Sequence, residues 1–148
     1  MTKLIYDLRL SMFTISAKGA YGLYAMMELT KTHRSDSVQI KDIADAQDIP
    51  QHYLEQLLVT LRKAGFVKSF RGTNGGYALA KAPSEITVLD ILTALEGPVE
   101  VLREQVPRGG LDFYWLRLET VFAEQLGQTL EEMVSERDSR REIFNYTI

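Results

Sequence analysis

The chain has 148 residues, 45% of them hydrophobic, and 17 Lys+Arg against 20 Asp+Glu leave a formal charge of −3, the profile of one globular domain with or without an appended element. It contains no cysteine, which excludes disulfides, thiol nucleophiles, cysteine-ligated zinc and cysteine-held iron–sulfur clusters. No run of about 18 apolar residues is present, and Lys3, Asp7 and Arg9 interrupt the N-terminal stretch as a signal peptide, so a cytoplasmic protein is expected.

The first element in chain order is a helix from Ala17 to about His33, with Ser16 at its N-cap. Tyr21, Leu23, Tyr24, Ala25, Met26, Met27 and Leu29 make it apolar almost all round, which implies burial on most sides. Arg34-Ser35-Asp36-Ser37 breaks it, and a two-turn helix, Ile40–Ala46, follows. Asp48-Ile49-Pro50 turns the chain into a third helix, whose Leu54, Leu57, Leu58 and Leu61 fall at i, i+3, i+4 and i+7 and which Gly65 stops in a left-handed conformation. The period then changes. Phe66–Phe70 and Tyr77–Ala80 read as strands joined by the glycine-rich loop Arg71–Gly76, a hairpin too small to be stable unless it packs on the helices.

Beyond Pro83, Thr87–Glu96 is a helix with Thr87 and Asp90 at capping-box spacing and Gly97-Pro98 as its stop. Val99–Gly110, interrupted by Pro107 and by Gly109-Gly110, is expected to be a loop. A long amphipathic helix begins near Leu111 and carries Trp115, Leu118, Val121, Phe122 and Leu126. Thr129-Leu130-Glu131-Glu132 opens a last, short helix with a capping box, before the charged run Ser135–Glu142.

This order is that of a winged helix-turn-helix with a long C-terminal dimerisation helix, a mainly α (α+β) fold. The expected division is an extension over 1–11, a DNA-binding domain over 12–82, linker and dimerisation helices over 83–134, and a tail over 135–148. Charge follows that division: residues 1–82 hold 11 Lys+Arg and 7 Asp+Glu, residues 83–148 hold 6 and 13. From Gln56 to Ser84 there are Arg62, Lys63, Lys68, Arg71 and Lys81 and no acid at all, an asymmetry that suits a nucleic-acid face, although a merely solvated basic face has the same charges.

Gln51, His52, Tyr53, Glu55 and Gln56, at the start of the third helix, are the candidate base readers. Arg71, Gly72, Thr73, Asn74 and Gly75, at the hairpin tip, would enter the minor groove or grip phosphate, with backbone N–H groups exposed by the glycines. Ser16, Lys18 and Tyr21 would meet the DNA backbone at the positive end of the first helix. The competing reading is a structural three-helix domain whose hairpin only caps a core, as winged helices also serve in protein contacts. The glycine loop lacks the Gly-Lys-Ser/Thr of a phosphate-binding P-loop. His33 and His52 have no partners at metal-ligand spacing, so no metal, no cofactor and no catalytic residue is assigned. Trp115, Leu118, Phe122 and Leu126 are read as a dimer seam rather than an ordinary core stripe, and a twofold pair of wings would match a palindromic operator in double-stranded DNA.

Phe13–Leu23, Ile40-Lys41-Asp42-Ile43-Ala44, His52–Leu57, Leu61–Ser69, Arg71-Gly72 and Gly75-Gly76-Tyr77 together resemble the Rrf2 family of transcriptional regulators, over about Met12 to Val134. The resemblance implies a dimeric winged-helix regulator with Tyr53, Glu55, Gln56 and the Arg71 wing at DNA. It also suggests that Met1–Ser11 is an extension or reflects an upstream start codon. Many members hold an iron–sulfur cluster through three cysteines in the loop matching Val99–Gly110, which has none here. That departure, with Leu95–Leu102 and the Trp115 helix, resembles the cluster-free, CymR-type branch of cysteine-metabolism repressors. In that branch a tail ending in isoleucine is thought to dock in the active site of O-acetylserine sulfhydrylase. Asn145-Tyr146-Thr147-Ile148 fits this chemistry, the carboxylate replacing that of an amino-acid substrate and Ile148 filling an apolar pocket. The alternative is that Ile143–Ile148 folds back on the dimer. At the level of function, the alternative to a cysteine-metabolism repressor is a regulator of other genes that senses a small molecule directly.

Overall fold

The structure, a computed structural model, describes residues 14–32, 37–102, 106–107 and 109–146. The expected extension, His33 and the ends Thr147 and Ile148 lie outside the described residues. Among the described residues the chain forms six α-helices and one two-stranded antiparallel sheet: α1 Ala17–Lys31, α2 Ile40–Gln47, α3 Gln51–Lys63, β1 Val67–Phe70, β2 Gly76–Leu79, α4 Val88–Glu96, α5 Asp112–Gln125 and α6 Leu130–Tyr146. This is the winged helix-turn-helix that the element order implies.

The helix-turn-helix corner is built by three residues. Asp48 takes a left-handed conformation (φ 52°), which short polar side chains tolerate better than most. Ile49 is buried and its N–H reaches Ala44 O (3.0 Å), and Pro50 accepts the first hydrogen bonds of α3 from Tyr53 N and Leu54 N. At the far end of α3, Gly65 N donates to Arg62 O and Phe66 N to Leu61 O, both at 3.0 Å, a Schellman motif with Gly65 at φ 84°. The four leucines of α3 are all buried.

Core formation explains how α1 and α4 meet. Gly19 and Gly22 are buried on α1, and a Cβ on Gly22 would run into Leu95 Cδ1. The absence of side chains there lets Leu95 pack directly onto α1 at Gly22 and Glu96 approach it at Gly19. The core holds Met26, Leu29, Ile43, Leu54, Leu58 and Leu61 together with Ile86, Ile91, Leu95 and Leu130. It therefore continues past residue 82, where the DNA-binding unit was expected to end: α4 and the first residue of α6 bury apolar side chains in the same cluster. The Thr87–Asp90 capping box forms as expected (Asp90 N to Thr87 Oγ1 3.1 Å, Thr87 N to Asp90 Oδ2 2.9 Å), and so does that of Thr129 with Glu132.

Two elements differ from expectation. The last helix is not short: α6 runs 17 residues, through the charged stretch expected as a tail. Glu136 and Arg140, one turn apart, pair at 2.6 Å along it, and Leu130 is its one fully buried residue among the described residues. The wing is also larger than a hairpin. Val38 N donates to Tyr77 O and Tyr77 N to Val38 O, both at 2.8 Å, so Val38, two residues ahead of α2, bridges to β2.

Candidate nucleic-acid interface

Helix α3 divides cleanly along its axis. Leu54, Leu57, Leu58 and Leu61 face the core, while Gln51, His52, Glu55, Gln56, Thr60, Arg62 and Lys63 are exposed. Such an exposed polar face, on the second helix of the motif, carries the donors and acceptors that base edges match. Tyr53 behaves differently. It is half-buried, its ring edge-on to Tyr21 at 5.8 Å, and Tyr21 in turn meets Tyr24 at 6.4 Å. Tyr21 and Tyr53 thus join α1 to α3 by aromatic packing, and neither stands out from the surface as the other candidate readers do.

In the wing, Arg71, Gly72, Thr73 and Asn74 are exposed and Gly75 is half-buried. Gly72 adopts φ 99°, and the tip is closed by Gly75 N donating to Gly72 O (2.9 Å). One of the amides expected to face a phosphate is therefore spent inside the turn. Ser37 Oγ donates to Asn74 O (2.7 Å), tying the tip to the segment ahead of α2. Basic side chains on this side are steadied by neighbours: Arg62 Nη1 donates to Ser69 Oγ (3.1 Å), Lys68 Nζ lies 5.6 Å from the Phe70 ring centre, and Lys81 Nζ lies 5.3 Å from that of Phe66.

The start of α1 holds an anion already. Glu96, the last residue of α4, accepts hydrogen bonds at Oε1 from Ser16 N (2.7 Å), Ser16 Oγ (2.5 Å) and Gly19 N (3.1 Å). Ser16 sits at the N-cap as expected, but the cap is supplied by a carboxylate eighty residues away. The positive helix end assigned to a DNA phosphate is neutralised within the chain, and of that expected group Lys18 alone presents an exposed charge.

On α5 the expected seam residues, Trp115, Leu118, Phe122 and Leu126, are half-buried, and the last three line a groove against the end of α4 and residues 97–101. The most exposed apolar side chains of this helix lie on the other face. Phe113 is 61% and Leu116 53% exposed, and α5 buries no residue completely. Periodicity does not distinguish these two faces, since both carry apolar residues at helical spacing.

The comparisons with known proteins agree with this architecture. The Rrf2 family profile, described as an iron-dependent transcriptional regulator, matches residues 15–136. The chain belongs to the Rrf2 family. Its Rrf2 relatives include the HTH-type transcriptional regulator CymR of Bacillus subtilis (strain 168), 43% identical over 90% of this chain and 99% of that protein. Among solved structures, that of CymR (YrzC), the global cysteine regulator of B. subtilis, superposes with a TM-score of 0.73 at 44% identity, covering 84% of this chain and 98% of that one. T. potens IscR superposes at 0.71 with 38% identity, covering 84% and 88%. This Rrf2 chain is accordingly a DNA-binding transcriptional regulator. The iron in the family description finds no matching donor set: the chain has no cysteine, and among the described residues no cluster of three His, Asp or Glu side chains is placed to hold a metal ion. No helix among the described residues is long and apolar enough to cross a membrane.

Proposed function

We propose that the protein is a homodimeric, sequence-specific, cytoplasmic repressor of cysteine and sulfur metabolism genes, with no iron–sulfur cluster and no catalytic activity. The observation that carries DNA recognition is the exposed polar face of α3, beside a wing whose stretch from Gln56 to Ser84 has five cationic residues and no acid. Gln51, His52, Glu55 and Gln56 read base edges. Arg71, Thr73 and Asn74 insert at the wing, Lys18 meets phosphate, and Tyr21 and Tyr53 hold the reading helix in place. The gene class rests on the near full-length similarity to CymR, the global cysteine regulator of B. subtilis.

Binding should be measured by fluorescence anisotropy on DNA selected by the protein itself. Affinity falls steeply as salt rises, because counterions return to the phosphates, and Arg71→Ala weakens binding by about 1–3 kcal/mol and reduces the salt slope by about one. Unchanged affinity in Arg71→Ala would remove the wing from the interface.

Control is proposed to act through a partner, O-acetylserine sulfhydrylase, that captures the end of the chain. The exposure of Phe144 (74%) and Tyr146 (91%) supports this over a terminus folded back on its own subunit. Deletion of Ile148 should abolish retention of the sulfhydrylase in a pull-down; retention unaffected by the deletion refutes the tail mechanism. A second reading, direct sensing of a small molecule, is favoured by the groove between α4 and α5.

A further inference from the structure

The groove is about 660 Å³, inside the range of about 300–1,000 Å³ common for small-molecule sites. Its apolar walls come from Ile15 ahead of α1, Leu92 of α4, Val99 and Val101 of the segment after it, and Leu118 and Phe122 of α5, with the hydroxyls of Thr14 and Thr93 among them. Two side chains in this lining are charged, and both are carboxylates, Glu96 and Glu100; no cation faces them among the described lining residues. An apolar cleft edged by two anions suits a cation with an apolar body. It disfavours a ligand carrying its own carboxylate, which would meet repulsion from both and no cation among the described lining residues.

We propose that this groove binds an organic ammonium ion, a primary amine attached to an apolar group, through Glu96 and Glu100. The proposal deepens the direct-sensing reading and rests on it. Glu96 gives the site a route to the DNA-binding elements, because the same carboxylate caps α1 through Ser16 and Gly19, and α1 carries Tyr21, against which Tyr53 of α3 packs. An ammonium ion at Glu96 competes with the helix end for its negative charge. The segment that closes the groove is itself tied to α5, Val101 N donating to Glu119 Oε1 at 3.5 Å.

The test uses the full-length protein labelled with ¹⁵N and titrated with 2-phenylethylamine, with 2-phenylethanol and phenylalanine as controls. Saturable shifts are expected at the Gly19, Gly97 and Val101 amides with the amine, and little change with either control. Glu100→Gln, which leaves the cap of α1 intact, should weaken the amine by about two- to fivefold, the scale of an exposed charge pair. Glu96→Gln, which keeps an acceptor for the helix, should weaken it similarly. Equal response to amine and alcohol, absence of saturation, or amine affinity unaffected by both substitutions would overturn the proposal. Operator affinity measured with and without the amine separates the two readings: amine binding that leaves DNA affinity unchanged retains the site and removes direct sensing.

Discussion

Glu28 occupies the junction of α1 and α2, where its Oε2 accepts from Lys31 Nζ and from Gln47 Nε2, both at 2.7 Å. Partial burial alone would raise its pKa, but those two hydrogen bonds and the Lys31 charge outweigh it, and the carboxyl titrates below its ordinary value. A lowered folded-state pKa means stability that is present above the unfolded value and lost as pH falls through the folded one. The wild-type protein should therefore lose stability as pH drops below the usual carboxylate range, and Glu28→Gln should flatten that part of the profile in urea melts recorded across acid pH. Glu96 is a second residue whose role depends on a distant partner. An acid at the last position of α4 opposes that helix's own dipole, and this misfit was the one signal in the sequence that its carboxylate serves another helix. Glu96→Ala should cost about 0.5–2 kcal/mol, the scale of a lost N-cap, read as a lower thermal midpoint. Gly76 is fixed by contact and conformation together. Its φ is 152°, and a Cβ there would run into Val38 O. Gly76→Ala should lower stability by about 1–3 kcal/mol and weaken operator binding with it, as the wing parts from Val38.

At the scale of elements, the helix-turn-helix was legible because each part has a local cause. The leucine period marks α3, Gly65 its end, and Asp48-Ile49-Pro50 the corner, all within a few residues. The extended last helix was obscured because the run Ser135–Glu142 is polar all round, and without an apolar stripe it resembles solvated tail. The bridge that Val38 adds to the wing was illegible for another reason: a single bridging residue has no period to read. Helices α1 and α4 meet through Gly19 and Gly22, so Gly22→Val should force Leu95 aside and lower the thermal midpoint, without altering any residue of the proposed DNA face.

Viewed as a whole molecule, the chain ends in a helix pair that its own core does not cover. Leu130 anchors α6 to the core, and Val88 N and Leu89 N hold the α5–α6 junction through Gln128 O and Leu126 O. Yet Phe113 and Leu116 remain open on α5. A second copy of the chain is the proposed cover, by way of this outer stripe rather than the Trp115 face alone. Leu116→Glu should convert the protein to a monomer in light scattering and reduce affinity for a palindromic operator far more than for a half-site, since two linked half-sites raise the effective concentration of each other's wing. A mutant that remains dimeric assigns the seam to the inner face.

The sequence by itself determined the elements whose causes are local: the amphipathic recognition helix, its corner and stop, the glycine-tipped hairpin, both capping boxes, and an absence of thiolates that follows from composition. Tertiary structure alone decided which of two apolar faces α5 turns outward, that Glu96 caps α1, that Val38 completes the wing, and that the core crosses residue 82. Each of these depends on residues far apart in the chain and brought together by packing, and periodicity within one segment holds no record of what that segment will meet.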